Sequence, residues 1–394
     1  MRERSAGVRI REVAGALAML AIAAVLGACT APTPTPRESR DAGVEWLVRN
    51  QNPDGSFGRF QSARVGEIYL DNLSSHRAFH VATSALCAWA LVEPARSDPT
   101  AAATLDRALD WLAAAPLTAR ASGSTFYDVW AHTYLIELAA AVLADARLAS
   151  RHDAFRTLAM REVLFSRQEQ AADGGWGYYD FGAAFLNPTG NMSTSFNTAA
   201  MILALRAIER QGVEIPPAMI RDGIVSLKTA RLPNGAFTYD TAPTPAPSAT
   251  FNMVRGSSGR LQVCNLALHD EGEGVDTAQL RRGLEFLRDH HHYLEIGRGR
   301  PIPHEAYYQN SGYYYYFGHY YASQVALRLE RDPTNEALTR WLAEALIRDQ
   351  FRDGSWFDYP LYGYGHAYAT GYAVLSMSSL IPLLEPRATA SASP

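Results

Sequence analysis

A short turn motif recurs along the chain and constrains its fold more than any other feature of the sequence. It reads NQNPDGSFG at residues 50–58, QEQAADGGWG at 168–177, RLPNGAF at 231–237 and QFRDGSW at 350–356. Each copy follows an amphipathic stretch, and three of them precede a helix of small and apolar residues centred on a threonine. Self-similarity at a regular spacing indicates an array of equivalent supersecondary units.

Two less regular units complete the array. One runs from Thr104 to a helix that starts near Trp130, and the other runs from Asp276 to a helix that starts near His319. Together with the four copies of the motif they make six units with a mean period of about 60 residues. Each unit supplies two helical stretches, so we expect twelve helices.

The turn itself has a specific backbone requirement. Asp-Gly and Asn-Gly pairs tolerate a positive φ, which ends a helix and reverses the chain. The sequence therefore predicts a positive φ at the glycine that each copy shares, namely Gly55, Gly174, Gly235 and Gly354. The aromatic residue two positions after each Asp-Gly or Asn-Gly pair can pack back over the turn.

The DGSFG, DGGWG and DGSW turns resemble the prenyltransferase and squalene-oxidase repeat, which is related to the QW motif of squalene and oxidosqualene cyclases. The likeness covers residues 41–386. It implies an all-α fold, an α/α toroid of six helix pairs, in which six inner helices surround a central cavity and six outer helices wrap around them. A closed ring also leaves no terminal repeat that needs a cap.

The resemblance does not extend to the catalytic residues of that family. Where squalene-hopene-type cyclases carry Asp-x-Asp-Asp-Thr-Ala, residues 194–199 read TSFNTA, which has no carboxylic acid to protonate an alkene. The counterparts of the zinc ligands in protein prenyltransferases are Asn310, Ser311, Gly312 and Ala369, which cannot form that site. We therefore expect no metal, no cofactor and neither standard activity.

Charge and cysteine content exclude other classes of function. Among 394 residues, 36 Lys and Arg stand against 40 Asp and Glu, and the formal net charge is −4. A nucleic-acid binder would carry a concentrated positive excess, so no nucleic-acid partner is expected. Three cysteines are too few for a disulfide framework. Cys87 and Cys264 belong to opposite units of a six-fold ring, so we expect them to share neither a disulfide nor a metal.

The N-terminal residues predict export and lipid anchoring. Four arginines precede an apolar run at residues 13–25, which is shorter than the roughly 20 residues of a membrane span and typical of a signal peptide. The following LGAC resembles the lipobox of bacterial lipoproteins, which implies removal of residues 1–28 and lipidation of Cys29. The alternative is a plain signal peptide with an incidental cysteine.

The rest of the domain assignment follows from this anchor. Residues 29–40 form a Pro/Thr-rich tether that is not expected to pack, residues 41–386 form the toroid, and residues 387–394 form a disordered tail. Thr30, not Asp, follows the cysteine, which favours the outer membrane over the inner membrane. We therefore expect the protein to be attached to a membrane through Cys29 and to lie in the bacterial cell envelope. We also expect it to be a monomer.

Polar and aromatic residues gather at the N-terminal ends of the predicted inner helices. Parallel inner helices would bring these ends to one rim of the cavity, where helix N-termini favour anions. Aligning the units on Thr83, Thr133, Thr198 and Thr370 selects the residues at this rim. The candidate catalytic residues are Asp128, His132, His319 and His366, and the candidate ligand-binding residues are Asn197, Arg260, Trp130, Tyr316, Tyr320 and Tyr368.

Each candidate also has a structural interpretation. The tyrosines can brace inner against outer helices, and Asp128 with His132, four residues apart, can be a rim pair instead of a general base. Three functions stay open: a lipoprotein that binds a hydrophobic or amphipathic ligand in the cavity, a polysaccharide lyase or hydrolase that uses the Tyr, His and Arg rim, and an atypical terpenoid (hopanoid) modifying enzyme. The ligand would be a lipid, a terpenoid or a glycan, and whether the protein is an enzyme stays undecided.

Overall fold

The computed structural model describes residues 33–58, 73–115, 118, 127–177, 193–241, 246–300, 307, 309–358 and 363–385. The predicted signal peptide, the lipidation site Cys29 and the C-terminal tail lie outside these residues. From Pro36 onward the described chain belongs to one compact unit. Its regular secondary structure is helical, apart from two isolated β-bridges, Thr194 with Asp240 and Arg231 with Phe237.

Helices of ten residues or more alternate along the described chain between an outer and an inner layer. The outer helices are α1 (Pro36–Asn50), α3 (Pro99–Ala113), α5 (His152–Gln168), α7 (Pro217–Ala230), α10 (Thr277–Asp289) and α13 (Pro333–Arg348). The inner helices are α2 (Leu73–Val92), α4 (Asp128–Ala144), α6 (Ser195–Glu209), α9 (Leu261–Asp270), α12 (Tyr315–Ala326) and α14 (Gly365–Leu384). Two short helices, α8 (Val254–Ser257) and α11 (His292–Gly297), lie in connections.

The inner helices form a closed ring. Each packs against the next inner helix in the chain, and α14 returns to pack against α2. Each outer helix packs on the inner helix that precedes it, and α1 packs on the last inner helix, α14. The all-α toroid predicted from the repeat is therefore confirmed, and the repeat turn carries the chain from an outer helix to the next inner helix.

Contacts between the two ends of the chain close the ring. Arg37 of α1 pairs with Glu385 at 2.5 Å, and the indole N–H of Trp46 donates to Asp353 at 3.2 Å. Ser39 and Arg40 are buried, and Ser39 donates to Gln350 at 2.7 Å. The toroid therefore begins at Pro36, five residues before the predicted start, because residues 36–40 pack as the first turn of α1 and do not belong to the tether.

The four motif copies share one turn geometry. The φ values of Gly55, Gly174, Gly235 and Gly354 are 95°, 89°, 87° and 91°, which confirms the prediction for this position. In every copy the N–H of the glycine donates to the carbonyl three residues earlier. In three copies a glutamine amide bridges the carbonyl of the glycine and a carbonyl of the adjacent outer helix; these residues are Gln51, Gln170 and Gln350.

Where the aromatic residue of the turn is tryptophan, it is buried between the two helices that the turn joins and is hydrogen-bonded to both of them. Trp176 and Trp356 are fully buried, and each indole N–H donates to the last turns of the preceding outer helix. Their backbone N–H groups donate to the hydroxyls of Thr198 and Thr370 on the following inner helix. These hydrogen bonds explain why an inner-helix threonine recurs in the repeat.

In the first unit the same hydrogen bond selects a different residue from the one that the sequence alignment used. The N–H of Phe57 donates to the hydroxyl of Ser84 at 2.9 Å, so Ser84, not Thr83, is the counterpart of Thr198 and Thr370. The alignment of the first unit with the other units must therefore be shifted by one residue. His80 then becomes the counterpart of His366, in agreement with their equivalent contacts to serines of the repeat turns.

One described helix, α14, is long and apolar enough to cross a membrane by length and composition. It lies inside the ring and packs against α1, α2, α12 and α13. Most of this apolar stretch is buried in the toroid, so its composition is explained as that of a core helix.

Candidate functional site

Aromatic side chains from opposite inner helices meet at the centre of the ring. Trp130 and Tyr134 lie one turn apart on α4, and their ring centroids are 5.5 Å apart. Trp130 also approaches Phe196 of α6 at 6.0 Å and Phe317 of α12 at 5.8 Å. Because α4 and α12 are three positions apart in the ring, a contact between them must cross its axis.

A second group of rings continues this cluster along the axis. The hydroxyls of Tyr134 and Tyr372 are 2.6 Å apart, and the ring of Tyr372 lies 5.2 Å from those of Tyr320 and Tyr368. Tyr320 in turn contacts Trp89 of α2 at 5.4 Å. At this level aromatic rings from opposite inner helices approach one another across the axis. Trp89, Trp130 and Tyr368 keep part of their surface exposed.

Arg260 lies at the N-terminal end of α9, inside a cage of aromatic rings. Its side chain is 1% exposed, and its guanidinium carbon lies 5.1 Å from the ring centre of Tyr239, 5.3 Å from Tyr314 and 6.0 Å from Phe196. Phe196 also contacts Trp130 and Phe317, so the cage is continuous with the aromatic cluster of the axis.

The hydrogen bonds of Arg260 go to neutral acceptors. Its terminal nitrogens donate to the carbonyls of Gly256 and Phe251 at 2.7 and 3.1 Å, and they reach the amide oxygens of Asn310 and Asn252 at 3.3 and 3.4 Å. Within the described part of the chain Arg260 forms no ion pair, and its Nε has no hydrogen-bond partner. This is an unusual environment, because buried charges in proteins are normally paired.

The acidic residues of the loop at 270–273, which follows α9, pair with cations other than Arg260. Asp270 pairs with Arg328 at 2.8 Å, Glu271 with Arg206 at 2.7 Å and Glu273 with Lys228 at 2.6 Å. Arg260 therefore faces the ring and not this loop.

Asn197 follows Phe196 on α6 and is fully buried. Neither the oxygen nor the nitrogen of its side-chain amide has a hydrogen-bond partner among the described residues. Buried amide groups are almost always hydrogen-bonded, so Asn197 is a position where the protein can offer a donor and an acceptor to another molecule.

Two predicted catalytic histidines do not share a rim with the other candidates. His319 is buried, its Nε2 lies 2.9 Å from His291, and its ring faces Trp341 of the outer helix α13. His366 is exposed and stacks on Phe357 with centroids 4.1 Å apart. Both side chains point toward the outer layer, because this helix position is the one that faces the repeat turn.

The predicted ligand-binding tyrosines separate in the same way. Tyr320 and Tyr368 belong to the axial cluster. Tyr316 is fully buried, its ring packs on Tyr315 at 4.9 Å, and its nearest charged groups include Arg298, Asp358 and Asp349 of the outer layer and the last repeat turn. Tyr316 therefore braces the two layers and does not line the axis.

Asp128 and His132 also lie away from the axis, between α4 and α5. The Nδ1 of His132 is 2.5 Å from Glu162, and its Nε2 is 3.8 Å from Glu169. Burial by itself lowers the pKa of His132, but the hydrogen bond to Glu162 and the charges of Glu169 and Asp128 raise it to about 9. A histidine with this pKa is protonated at neutral pH, which opposes the predicted role as a general base at the rim.

Sequence reasoning missed both glutamates of this cluster and one glutamate on the axis. Glu162 and Glu169 are 30 and 37 residues beyond His132, and nothing local connects them to it. Glu137 follows Trp130 and Tyr134 on one face of α4, at spacings of seven and three residues. It is the one Asp, Glu, Lys or Arg between residues 129 and 144, a signal that could have identified it. Burial raises its pKa to about 7, against the lowering effect of Arg210 and Arg328.

No protein-family model and no curated protein sequence matches the chain. Solved structures do match it. A type II terpene cyclase from Scytonema, in complex with geranylgeranyl dihydroxybenzoate, is 14% identical with a TM-score of 0.50, over 89% of this chain and 98% of that chain. A protein from Actinoplanes is 14% identical with a TM-score of 0.51, over 88% and 100%.

An α-1,6-mannanase from Salegentibacter matches to the same degree. The matched structure is an inactive variant in complex with α-1,6-mannotriose, 12% identical with a TM-score of 0.51, over 89% of this chain and 100% of that chain. At these identities the likeness establishes the terpenoid cyclase-like toroid and leaves the activity to the residues of this chain.

Proposed function

We propose that this terpenoid cyclase-like toroid binds an amphipathic anion, with the anionic group at Arg260 and the apolar part on the aromatic rings of the axis. The observation that carries the proposal is the buried guanidinium, which forms no ion pair among the described residues. Removing such a charge from water costs several kcal/mol unless a negative group compensates it. Cation–π contacts with Tyr239 and Tyr314 offset part of this cost.

The arrangement of the rings supports an apolar body for the ligand. Phe196 connects the cage of Arg260 to Trp130 and Phe317, which lie on the axis. Flat apolar surfaces that follow a cationic end suit a carboxylate or phosphate carried on a lipid or terpenoid chain. The buried amide of Asn197 supplies a donor and an acceptor next to Phe196.

We further propose that a lipid on Cys29 holds the toroid at the cell envelope, in the outer membrane. The LGAC sequence supports lipidation, and the start of the toroid at Pro36 limits how far it can move from the membrane. Seven fully extended residues from Cys29 span at most ~25 Å. The toroid would therefore stay within reach of ligands that enter from the membrane surface.

The test of the ligand uses two probes with the same hydrocarbon chain length, oleate with an anionic head group and oleyl alcohol with a neutral one. Full-length protein in detergent is titrated with each probe, and binding is followed through the intrinsic tryptophan fluorescence and by native mass spectrometry. We expect tighter binding of oleate, and we expect Arg260→Ala to remove the difference while Arg260→Lys retains most of it.

Arg221→Ala, on the exposed face of α7, is the matched control and should bind as wild type. Circular dichroism of each variant reports whether it folds. Equal affinity of the wild-type protein for oleate and oleyl alcohol would contradict an anion site at Arg260.

Glu137 favours a second candidate, a glycan-acting enzyme that works in the axial cluster. A carboxyl group with a pKa of about 7 can donate a proton near neutral pH, and the neighbouring Trp130 and Tyr134 rings can stack on sugars. The test is release of reducing ends from α-1,6-mannan and of unsaturated products from pectin. Activity that Glu137→Gln abolishes and Arg260→Ala retains would favour this function over ligand binding.

A further inference from the structure

We infer that Asp128, His132 and Glu169 form a binding site for a divalent transition-metal ion, of which Zn²⁺ fits best. Each of the three residues offers one ligand atom, and these atoms all lie within 4.8 Å of one another. Asp128 and His132 are fully buried, and the side chain of Glu169 is 11% exposed. The site lies between α4 and α5 and is separate from the aromatic axis.

The imidazole of His132 is oriented for a ligand. Its Nδ1 is engaged by Glu162 at 2.5 Å. Its Nε2 is buried, has no hydrogen-bond partner among the described residues, and faces Glu169 at 3.8 Å. Ligand atoms around a tetrahedral zinc ion lie about 3.3–3.5 Å apart, so a small rotation of the Glu169 side chain closes this distance.

Glu162 has the role that a carboxylate plays behind a metal-bound histidine. In such sites the second ring nitrogen donates to a carboxylate, which sets the tautomer and leaves Nε2 available for the metal. Glu162 is itself held by Arg161, whose Nε donates to its other oxygen at 2.7 Å. Glu162, which is itself held by Arg161, thus fixes the orientation of the His132 ring before any ion binds.

The donor set indicates the class of ion. Ca²⁺ and Mg²⁺ take oxygen ligands almost exclusively, whereas an imidazole nitrogen suits zinc and the other first-row transition metals. Three protein ligands are also the number found in zinc sites that keep a fourth position for water. Two carboxylates held this close repel each other, and a dication offsets that repulsion.

The positions of the ligands indicate what the ion would do to the fold. Asp128 is the first residue of the inner helix α4, and Glu169 is the residue directly after the outer helix α5. Glu169 also opens the repeat turn that contains Gly174. A bound ion would therefore join an inner helix to an outer helix at the end of the ring where the turn begins. It would stabilise the folded state by an amount that rises with the logarithm of its concentration above the dissociation constant.

The test measures metal binding directly. Full-length protein in detergent is stripped with a chelator, titrated with Zn²⁺ and analysed for metal after gel filtration, with Mg²⁺ as the comparison. We expect one equivalent of Zn²⁺ per chain, a higher melting temperature and no effect of Mg²⁺. Addition of Co²⁺ should produce visible absorption bands that Zn²⁺ then removes.

Variants identify the ligands. Glu169→Gln keeps the shape of a partly exposed side chain and should lose the bound equivalent, as should His132→Ala if that variant folds. Glu162→Gln should retain the stoichiometry and weaken affinity by about 10–100-fold, because it acts through His132.

His292→Ala is the matched control for adventitious binding, since it removes an exposed histidine from the run at residues 290–292. It should bind Zn²⁺ as wild type does. A stripped wild-type protein that takes up no Zn²⁺ would overturn the inference and leave a protonated His132 between Glu162 and Glu169. Loss of the bound equivalent in His292→Ala, or its retention in Glu169→Gln, would overturn it equally.

Discussion

Tyr134 of α4 and Tyr372 of α14 share a hydrogen bond of 2.6 Å between their hydroxyl groups. The two helices are not neighbours in the ring, since α2 stands between them. Both tyrosines are buried, so neither hydroxyl can exchange its partner for bulk water. The hydrogen bond therefore links two inner helices that do not pack side by side. It connects the aromatic rings around Trp130 to those around Tyr320.

Removing one hydroxyl of this hydrogen bond should lower the free energy of unfolding at least as much as removing both. Tyr134→Phe removes one hydroxyl and leaves the other buried without its partner, which we expect to lower the free energy of unfolding by about 1–3 kcal/mol. The double variant Tyr134→Phe with Tyr372→Phe should be no less stable than the single variant. Urea unfolding measures both, with Tyr307→Phe as the exposed control. Strictly additive losses would show that the two hydroxyls do not interact.

The four repeat glycines should differ in their tolerance of a side chain. A Cβ at Gly174, Gly354 or Gly55 would lie 2.4–2.5 Å from a backbone oxygen of the adjacent outer helix, whereas a Cβ at Gly235 would have nothing within 4 Å. We expect Gly235→Ala to cost about 1–2 kcal/mol through its positive φ alone, and the other three substitutions to cost clearly more. Melting temperatures of the four variants give the ranking. Equal losses of stability in all four variants would mean that the adjacent outer helix can move to make room for the added Cβ at no cost.

Two buried histidines should contribute a loss of stability in mild acid. Burial lowers the pKa of His319 to about 4, and burial together with the nearby His319 lowers that of His291 to about 2. An unfolded histidine titrates near 6.5. Below pH 6.5 the unfolded chain therefore binds protons that the folded chain does not, and stability present above pH 6.5 is lost as the pH falls toward 4.

Each histidine contributes a slope of about 1.4 kcal/mol per pH unit in this range. Urea unfolding at pH 7.5 and pH 5 measures the loss, and His319→Asn should reduce it relative to wild type. The exposed His292→Asn serves as the control and should leave the pH dependence unchanged. The raised pKa values of His132 and Glu137 favour the folded state as the pH falls, so they oppose the histidine effect in the wild-type protein. The comparison between variant and wild type is therefore decisive: an unchanged pH dependence in His319→Asn would contradict the neutral state of the pair.

The lipid anchor predicts a change in location. Cys29→Ser removes the thiol that would be acylated, so we expect the variant to remain uncleaved or to appear outside the membrane fraction. Cell fractionation and the shift in apparent mass on metabolic labelling with a fatty acid check this result. A variant that labels and fractionates like wild type would exclude lipidation at this residue, and Cys87→Ser, at a buried position, controls for labelling elsewhere.

The repeat turns were readable from the sequence because their chemistry is local. A positive φ needs glycine, the glutamine that precedes it needs a fixed spacing to bridge two carbonyls, and Trp176 and Trp356 need a hydroxyl on the next helix. Each of these requirements fixes a residue type at a constant spacing within the repeat. Four copies of such a turn between helical stretches were enough to predict the toroid.

The direction in which each inner helix presents its side chains was decided only by the tertiary structure. Most side chains of the inner helices are buried, polar ones included, so these helices carry no exposed polar stripe from which an orientation can be read. The sequence therefore placed His319 and His366 at the rim, although they face the outer layer, and it could not bring Glu162 and Glu169 to His132. These contacts join residues of different helices, and only the closure of the ring determines which of them meet.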